Sequence, residues 1–183
     1  MTVGTVEKII SGGWGIIREN SKVIFLSHVL PGEKVSYRIK EKAKGIYWGE
    51  LLGIIEAAPE RIEAPCHYYG TCGGCVFQHM EYSTQKQLKQ TIFQAEMKRI
   101  GKQDVHIDHY YESPPFQYRI RGRLKGHQSG RVGFVRKGTH HVYPIDHCLL
   151  FTEEMNHFLA QWNNLDSPPF FFHSQRIRFL FWP

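Results

Sequence analysis

The chain has four cysteines, Cys66, Cys72, Cys75 and Cys148, arranged as a Cys-x5-Cys-x2-Cys cluster and one remote partner. Clustered plus remote thiols are a spacing for a four-thiolate metal site closed across a fold. The N-terminus, MTVGTVEKIISGGWG, lacks the charged start and apolar run of a secretory signal, so the thiols are expected to stay reduced rather than form disulfides. Four thiolates in tetrahedral array suit either Zn²⁺ or an iron–sulfur cluster. Structural zinc usually draws on two close pairs, whereas three plus one fits a cubane [4Fe–4S], a larger object with four corners, better. Gly73 and Gly74, between two of these cysteines, remove Cβ bulk and let the backbone aim amides at sulfur. A redox dithiol in Cys72-Gly73-Gly74-Cys75, and four unrelated buried thiols, remain open readings. His67, His79 and His147 lie near the cysteines in sequence, but four thiolates already complete a ligand set.

The second chemically suggestive feature is a run of cations. Between Ser113 and Ile145 stand Arg119, Arg121, Arg123, Lys125, Arg131, Arg136 and Lys137, with no carboxylate. In Tyr118-Arg119-Ile120-Arg121-Gly122-Arg123-Leu124-Lys125 a period of two puts Arg119, Arg121, Arg123 and Lys125 on one strand face. Cations are also common on exposed edge strands, where they block pairing. A whole row of them repels itself unless an anion lies across it, and nucleic-acid phosphates would serve. Arg119, Arg121, Arg123, Lys125, Arg136 and Lys137 are therefore the candidate RNA contacts.

These groups need elements to hold them. From Met1 to Ala58 the pattern is short strands and tight turns. Val23–Leu26 reads as a buried strand, Lys34–Lys40 as an alternating half-buried strand, and Ile46–Ile55 as one or two more. Leu30-Pro31-Gly32-Glu33 suits a type II turn, and Gly12-Gly13-Trp14-Gly15 a bulged or sharply bent strand entry. Such a segment predicts a small OB-like barrel, with Trp14, Tyr37 and Trp48 more plausibly core than stacking platforms. Pro59–Pro65 is a short connector. A helix is expected over 84–100, started by a Thr84/Gln87 capping box and stopped at Gly101. Strand character returns over 105–145, a second helix over Thr152–Trp162 carries Phe151, Met155, Phe158, Leu159 and Trp162 on one stripe, and Gln175–Trp182 begins another strand. The expected fold class is β-rich α+β.

With 183 residues, 42% hydrophobic and 14% aromatic, the chain can form one domain or two small ones around packed cores, which excludes wholesale disorder. A net charge of +6 favours a polyanionic partner. No apolar run approaches the ~18 residues of a membrane span, so a soluble cytoplasmic protein with no membrane partner is expected. The ending, with Phe170-Phe171-Phe172 and Phe179-Leu180-Phe181-Trp182, is unusually apolar for a terminus, and truncation is expected.

Pro65-Cys66-His67-Tyr68-Tyr69-Gly70-Thr71-Cys72-Gly73-Gly74-Cys75-Val76-Phe77-Gln78-His79, followed by Tyr82 and Gln85, resembles the iron–sulfur signature of the RumA/RlmD group of RNA uracil-5-methyltransferases. Tyr118-Arg119-Ile120-Arg121 is similar to that family's Tyr-Arg-Asn-Arg strand, with Ile120 in the asparagine position. Gly133-Phe134 and Tyr143-Pro144-Ile145-Asp146-His147-Cys148-Leu149-Leu150 resemble the stretch that delivers the fourth ligand. The glycine-rich start and the Leu30–Glu33 turn look like a TRAM domain.

The resemblance implies a TRAM RNA-binding barrel over 1–59 and an iron–sulfur central domain over 60–183, with a [4Fe–4S] cluster on Cys66, Cys72, Cys75 and Cys148. It implies ribosomal RNA as partner, because the transfer-RNA member typified by TrmA lacks the cluster. The family transfers a methyl group from S-adenosylmethionine to C5 of uridine, using a cysteine thiolate on C6 and a base for the C5 proton. With all four cysteines taken as ligands, none is left as nucleophile, and no Gly-rich strand–turn–helix binds the methyl donor. The chain is thus expected to be a non-catalytic, RNA-holding part of such an enzyme. The alternatives are a stand-alone RNA-binding protein with a structural four-cysteine zinc or iron–sulfur site, and a TRAM-bearing radical enzyme, whose cluster motif has a different first spacing.

Overall fold

The structure is a computed structural model that describes residues 2–165 and, in backbone only, the strand at 176–180. Phe170-Phe171-Phe172, Phe181 and Trp182, on which the expectation of truncation partly rests, lie outside the described residues. By its contacts the chain divides into two compact units, Met1–Ala64 with Val76–Tyr110, and Pro65–Cys75 with Tyr111–Pro183.

The first unit carries six strands: β1 (Thr2–Thr5), β2 (Lys8–Ile10), β3 (Trp14–Glu19), β4 (Lys22–Ser27), β5 (Lys34–Ala43) and β6 (Ile46–Glu56). They form one sheet in the order β1-β5-β6-β4-β3-β2, antiparallel except for β4 beside β6. The sheet curls into a half-barrel around Val6, Ile17, Ile24, Leu26, Val29, Val35 and Tyr37, all buried. Gly4 on β1 faces Ile17 on β3 so closely that a Cβ there would come within 2.9 Å of its side chain.

The simple alternation expected of Lys34–Lys40 breaks down. Val35, Ser36 and Tyr37 are all buried and Ile39 is exposed, and β5 shifts register against β6 between Lys34 and Val35, between Ser36 and Tyr37, and between Ile39 and Glu41. The unpaired residue is Ile55 and then Leu52 on β6 at the first two shifts, and Lys40 on β5 at the third. Ser36 tolerates burial by donating to the Gly53 carbonyl at 3.3 Å. Gly12 and Gly13 form a turn with positive φ between β2 and β3, a sharp bend into β3 and not a bulge. Tyr37 is core as expected, whereas Trp14 and Trp48 are half-buried and meet edge to face, centroids 4.7 Å apart.

Helix α1 (Tyr82–Arg99) starts two residues before the expected 84. Glu81 is its N-cap, with no side-chain capping bond, so the Thr84/Gln87 capping box does not form. Gln85 instead donates back to the Met80 carbonyl at 3.1 Å. Leu88 and Ile92 of α1, both half-buried, pack on Ile9, Leu30 and Met80, and this tertiary packing holds the helix without the side-chain cap.

The second unit holds β7 (Arg121–Gly126), β8 (Val132–Val135), β9 (Val142–Pro144), α2 (Glu153–Asn163) and β10 (Arg176–Leu180). Its four-stranded sheet runs β10-β7-β8-β9, all neighbours antiparallel. Residues 102–118 form no strand, against the expectation of strand character from 105, since apolar alternation there finds no partner to pair with. Leu124, Val132, Ile145, Phe151, Met155 and Leu159 make the core, with Tyr68 joining them from the cysteine loop. Gly122 is required on β7, where a Cβ would come within 2.6 Å of the buried Phe151 ring.

Candidate metal and nucleic-acid sites

All four cysteines belong to the second unit, each half-buried and free of disulfides. The Cys66–Cys75 loop is shaped by its own backbone: Tyr69 N–H donates to the Cys66 carbonyl at 2.9 Å and Cys72 N–H to the Tyr68 carbonyl at 2.8 Å. It then ties to the end of β8, with Gly73 N–H donating to the Val135 carbonyl at 3.1 Å and a β-bridge joining Cys72 and Arg136. Only Gly73 of the glycine pair needs to lack a Cβ: one built there would come within 2.6 Å of the Val135 oxygen, whereas one on Gly74 meets nothing nearer than Cys72 Sγ at 3.5 Å. Tyr68 anchors the loop from below, its hydroxyl accepting from Asp146 N–H at 3.0 Å.

Cys148 is positioned by α2. Asn156, nearly buried, accepts from Cys148 N–H at 2.8 Å and donates to the carbonyls of Cys148 at 3.1 Å and Phe151 at 3.3 Å. Burial pushes the Cys72 and Cys148 thiols up. Backbone N–H groups of Gly74, and of Leu150 and Phe151, act in the opposite sense by donating to these sulfurs, while Cys66 and Cys75 lie near enough to raise both thiols further through their charge. Three of the sulfurs, on Cys66, Cys72 and Cys148, pack against one apolar core. Among the described residues no group of three or more His, Cys, Asp or Glu is placed to hold a metal ion. His79 belongs to the first unit, where its ring lies 3.1 Å from the Val29 carbonyl, and His67 and His147 are exposed.

The basic run separates into two groups. On β7, Arg121 and Arg123 are exposed and Lys125 is half-buried, alternating with buried Gly122 and Leu124. Arg119 precedes the strand, exposed, its N–H donating to the Leu150 carbonyl at 2.8 Å and its Nε to the Arg121 carbonyl at 2.9 Å. Arg131 forms an ion pair with Asp146, which removes it from the free cations. Arg136 and Lys137 stand apart from the β7 row, in the β8–β9 turn. Arg136 is exposed and lies over the Tyr143 ring, 5.0 Å from its centroid, while Lys137 is half-buried and burial pushes its amine down.

Sequence reasoning missed three contributors. Asn156 is a polar residue in phase with the buried Leu159 three positions on, a detectable signal on an otherwise apolar face. The β10–β7 register sets Arg178 opposite Arg123 and Arg176 opposite Lys125, a pairing that no local pattern reveals. His127, from the β7–β8 turn, and His140, His141 and Tyr143, from the β8–β9 turn and β9, line one pocket with Lys125 and Arg136 only through the fold of the sheet.

A search against protein-family models finds no match. The chain is 36% identical over 157 residues to an uncharacterized RNA methyltransferase of Aquifex aeolicus, covering 85% of the chain and 37% of that protein. It is 32% identical over 154 residues to the 23S rRNA (uracil(1939)-C(5))-methyltransferase RlmD of Shewanella denitrificans, covering 79% of the chain and 33% of that protein. RlmD of Nitrosospira multiformis is 34% identical over 137 residues, 74% of the chain and 31% of its own length. In structure the chain is similar to the tRNA (uracil-54, C5)-methyltransferase of Pyrococcus abyssi, solved with S-adenosyl-L-homocysteine, with a TM-score of 0.62 and 21% identity over 87% of the chain and 35% of that enzyme. The chain spans about a third of the length of the curated relatives it matches. Over most of its own length it is therefore a homologue of the RNA methyltransferases, in the group that includes the 23S rRNA uracil-C5 enzymes named RlmD.

Proposed function

We propose that this chain supplies RNA binding and cluster binding to an S-adenosylmethionine-dependent uracil-C5 methyltransferase acting on ribosomal RNA in the cytoplasm. In this reading residues 1–59 are a TRAM-type RNA-binding barrel and 60–183 an iron–sulfur central domain. Cys66, Cys72, Cys75 and Cys148 hold a [4Fe–4S] cluster, and Arg119, Arg121, Arg123, Lys125, Arg136 and Lys137 face RNA. The observation that carries it is the presence, within one compact unit, of four half-buried thiols, Cys66 and Cys75 acting on both Cys72 and Cys148, together with the exposed cationic face of β7. The donor set fits the group: soft thiolates, backbone N–H groups directed at two of them, and an apolar core behind three. When bound, the cluster supplies a covalent cross-link between the 66–75 loop and the turn at Cys148. The chain's own residues position and hold RNA; none is assigned to the methyl transfer.

The test is anaerobic purification of the chain, followed by iron, sulfide and zinc analysis and visible absorbance. Brown protein with iron and sulfide is expected, and Cys148→Ser should bleach it. A colourless protein with one zinc, or unchanged iron in Cys148→Ser, overturns the cluster. In a salt titration of RNA affinity, changing Arg119, Arg121 and Arg123 together to alanine should flatten the slope of log K against log salt by about 2, at roughly 0.7 per phosphate contact on a single strand. An unchanged slope overturns the role of β7.

A further inference from the structure

At one end of the second unit's sheet, the close of β7, β9 and the β8–β9 turn border a half-open pocket of about 800 Å³. Lys125, His127, Arg136, His140, His141 and Tyr143 are among its lining residues, and no carboxylate is. A concave site with this many cation-capable groups and no counter-charge is built for an anion. It also has a flat platform. The Arg136 guanidinium lies over the Tyr143 ring at 5.0 Å, and Arg136 remains exposed, so a further planar group has a face on which to stack.

The platform is held firmly. Arg136 N–H donates to the His141 carbonyl at 2.9 Å, Thr139 N–H donates to the Arg136 carbonyl at 3.1 Å, and His141 N–H donates to the Thr139 hydroxyl at 3.1 Å. Tyr143 is fixed on the core side, its ring 6.0 Å from that of Tyr68 in an edge-on arrangement. Ser129 N–H donates to His127 Nδ1 at 3.2 Å, which orients the His127 ring.

Resting on the RNA-binding reading above, we propose that this cavity takes one unstacked nucleotide of single-stranded RNA, its base on the Arg136–Tyr143 platform and its flanking phosphates against Lys125 and the histidines. An aromatic or guanidinium surface stacks any base, so the site selects for an unpaired nucleotide rather than for sequence. It adjoins the β7 row at Lys125, while Arg119, Arg121 and Arg123 of that row meet phosphates alone.

The test uses the full chain, purified anaerobically, and a fluorescently labelled single-stranded RNA 12-mer, with the same strand carrying one central abasic residue and with uridine monophosphate as competitor. Arg136→Lys keeps the charge but loses the planar stack; Arg136→Ala loses both. For the intact strand, Arg136→Lys should weaken binding about fivefold or more, the lower bound of a stacked base, and Arg136→Ala further. The abasic strand should bind the unaltered chain more weakly and be nearly insensitive to Arg136→Lys. Equal affinities of unaltered and Arg136→Lys chains for the intact strand overturn this site while leaving RNA binding intact. Failure of the unaltered chain to bind RNA at all overturns the reading on which it rests. Competition by uridine monophosphate at the concentrations at which RNA competes would assign the cavity to a free nucleotide and overturn the RNA occupant.

Discussion

Glu33, the last residue of the Leu-Pro-Gly-Glu turn, is fully buried, yet it is charged. Its carboxylate accepts from Leu30 N–H at 2.7 Å, from Arg61 Nη2 at 2.7 Å, from Arg61 Nε, and from Ala58 N–H at 3.3 Å. Burial alone would raise its pKa, but the Arg61 guanidinium and the two backbone donors together outweigh burial and hold the carboxyl below its usual range. Glu33→Ala removes four acceptor contacts at once. Arg61 is held in place by its bond to the His28 carbonyl at 2.9 Å, so its charge stays largely buried and unpaired. Breaking such a pair costs about 3–5 kcal/mol, and each orphaned N–H adds on the order of 1–3 kcal/mol where it cannot reach water. A loss of at least ~3 kcal/mol is expected, a large fraction of the 5–15 kcal/mol typical of a folded domain. Urea unfolding followed by tryptophan fluorescence measures it, because Trp14 and Trp48 both lie in the first unit.

The pH dependence follows from the depressed pKa. Glu33 stabilises the fold at pH values above the ordinary glutamate value of about 4.3, and this contribution fades as pH falls through the lower folded value. The gap between the unaltered and Glu33→Ala proteins should therefore be constant near neutrality and shrink only in acid. A cost under about 1 kcal/mol, or a gap that closes already between about pH 7 and 5, would refute the assignment of Glu33 as a buried, ionised hub.

Two further outcomes are expected. Asn156→Ala leaves Cys148 N–H without its acceptor and should cost about 1–3 kcal/mol in thermal unfolding of the second unit, with poorer retention of iron during gel filtration; full stability with full iron would remove Asn156 from the positioning of Cys148. Gly73→Ala should lower metal content and stability, since its Cβ meets the Val135 oxygen, while Gly74→Ala should match the unaltered chain; equal metal loss in both variants would mean that loop flexibility, not close approach, is what the glycines provide.

The cysteines stood out as a candidate set because ligand chemistry is written in residue type and spacing, and the second helix was legible because Met155 and Leu159 repeat at helical period against a core. The Thr84/Gln87 cap was misread, since a capping box is a local preference worth about 1 kcal/mol, less than the packing of Leu88 and Ile92 on Met80. Likewise the burial of Ser36 and the exposure of Ile39 depart from the alternation of their own strand, because burial depends on what the rest of the fold lays against each face.

From sequence alone came the β-rich α+β class, the four thiols as one candidate set, and the alternating cations of β7. These are short-range properties, set by side-chain chemistry and by a period of two or of 3.6 residues. Tertiary structure alone decided that Asn156 clamps Cys148, that only Gly73 of the glycine pair is sterically required, that Asp146 claims Arg131, and that Arg136 lies over Tyr143 at the mouth of a cation-lined cavity. Each joins residues brought together by strand pairing or helix docking, and such contacts depend on the register and packing of whole elements, which no single segment encodes.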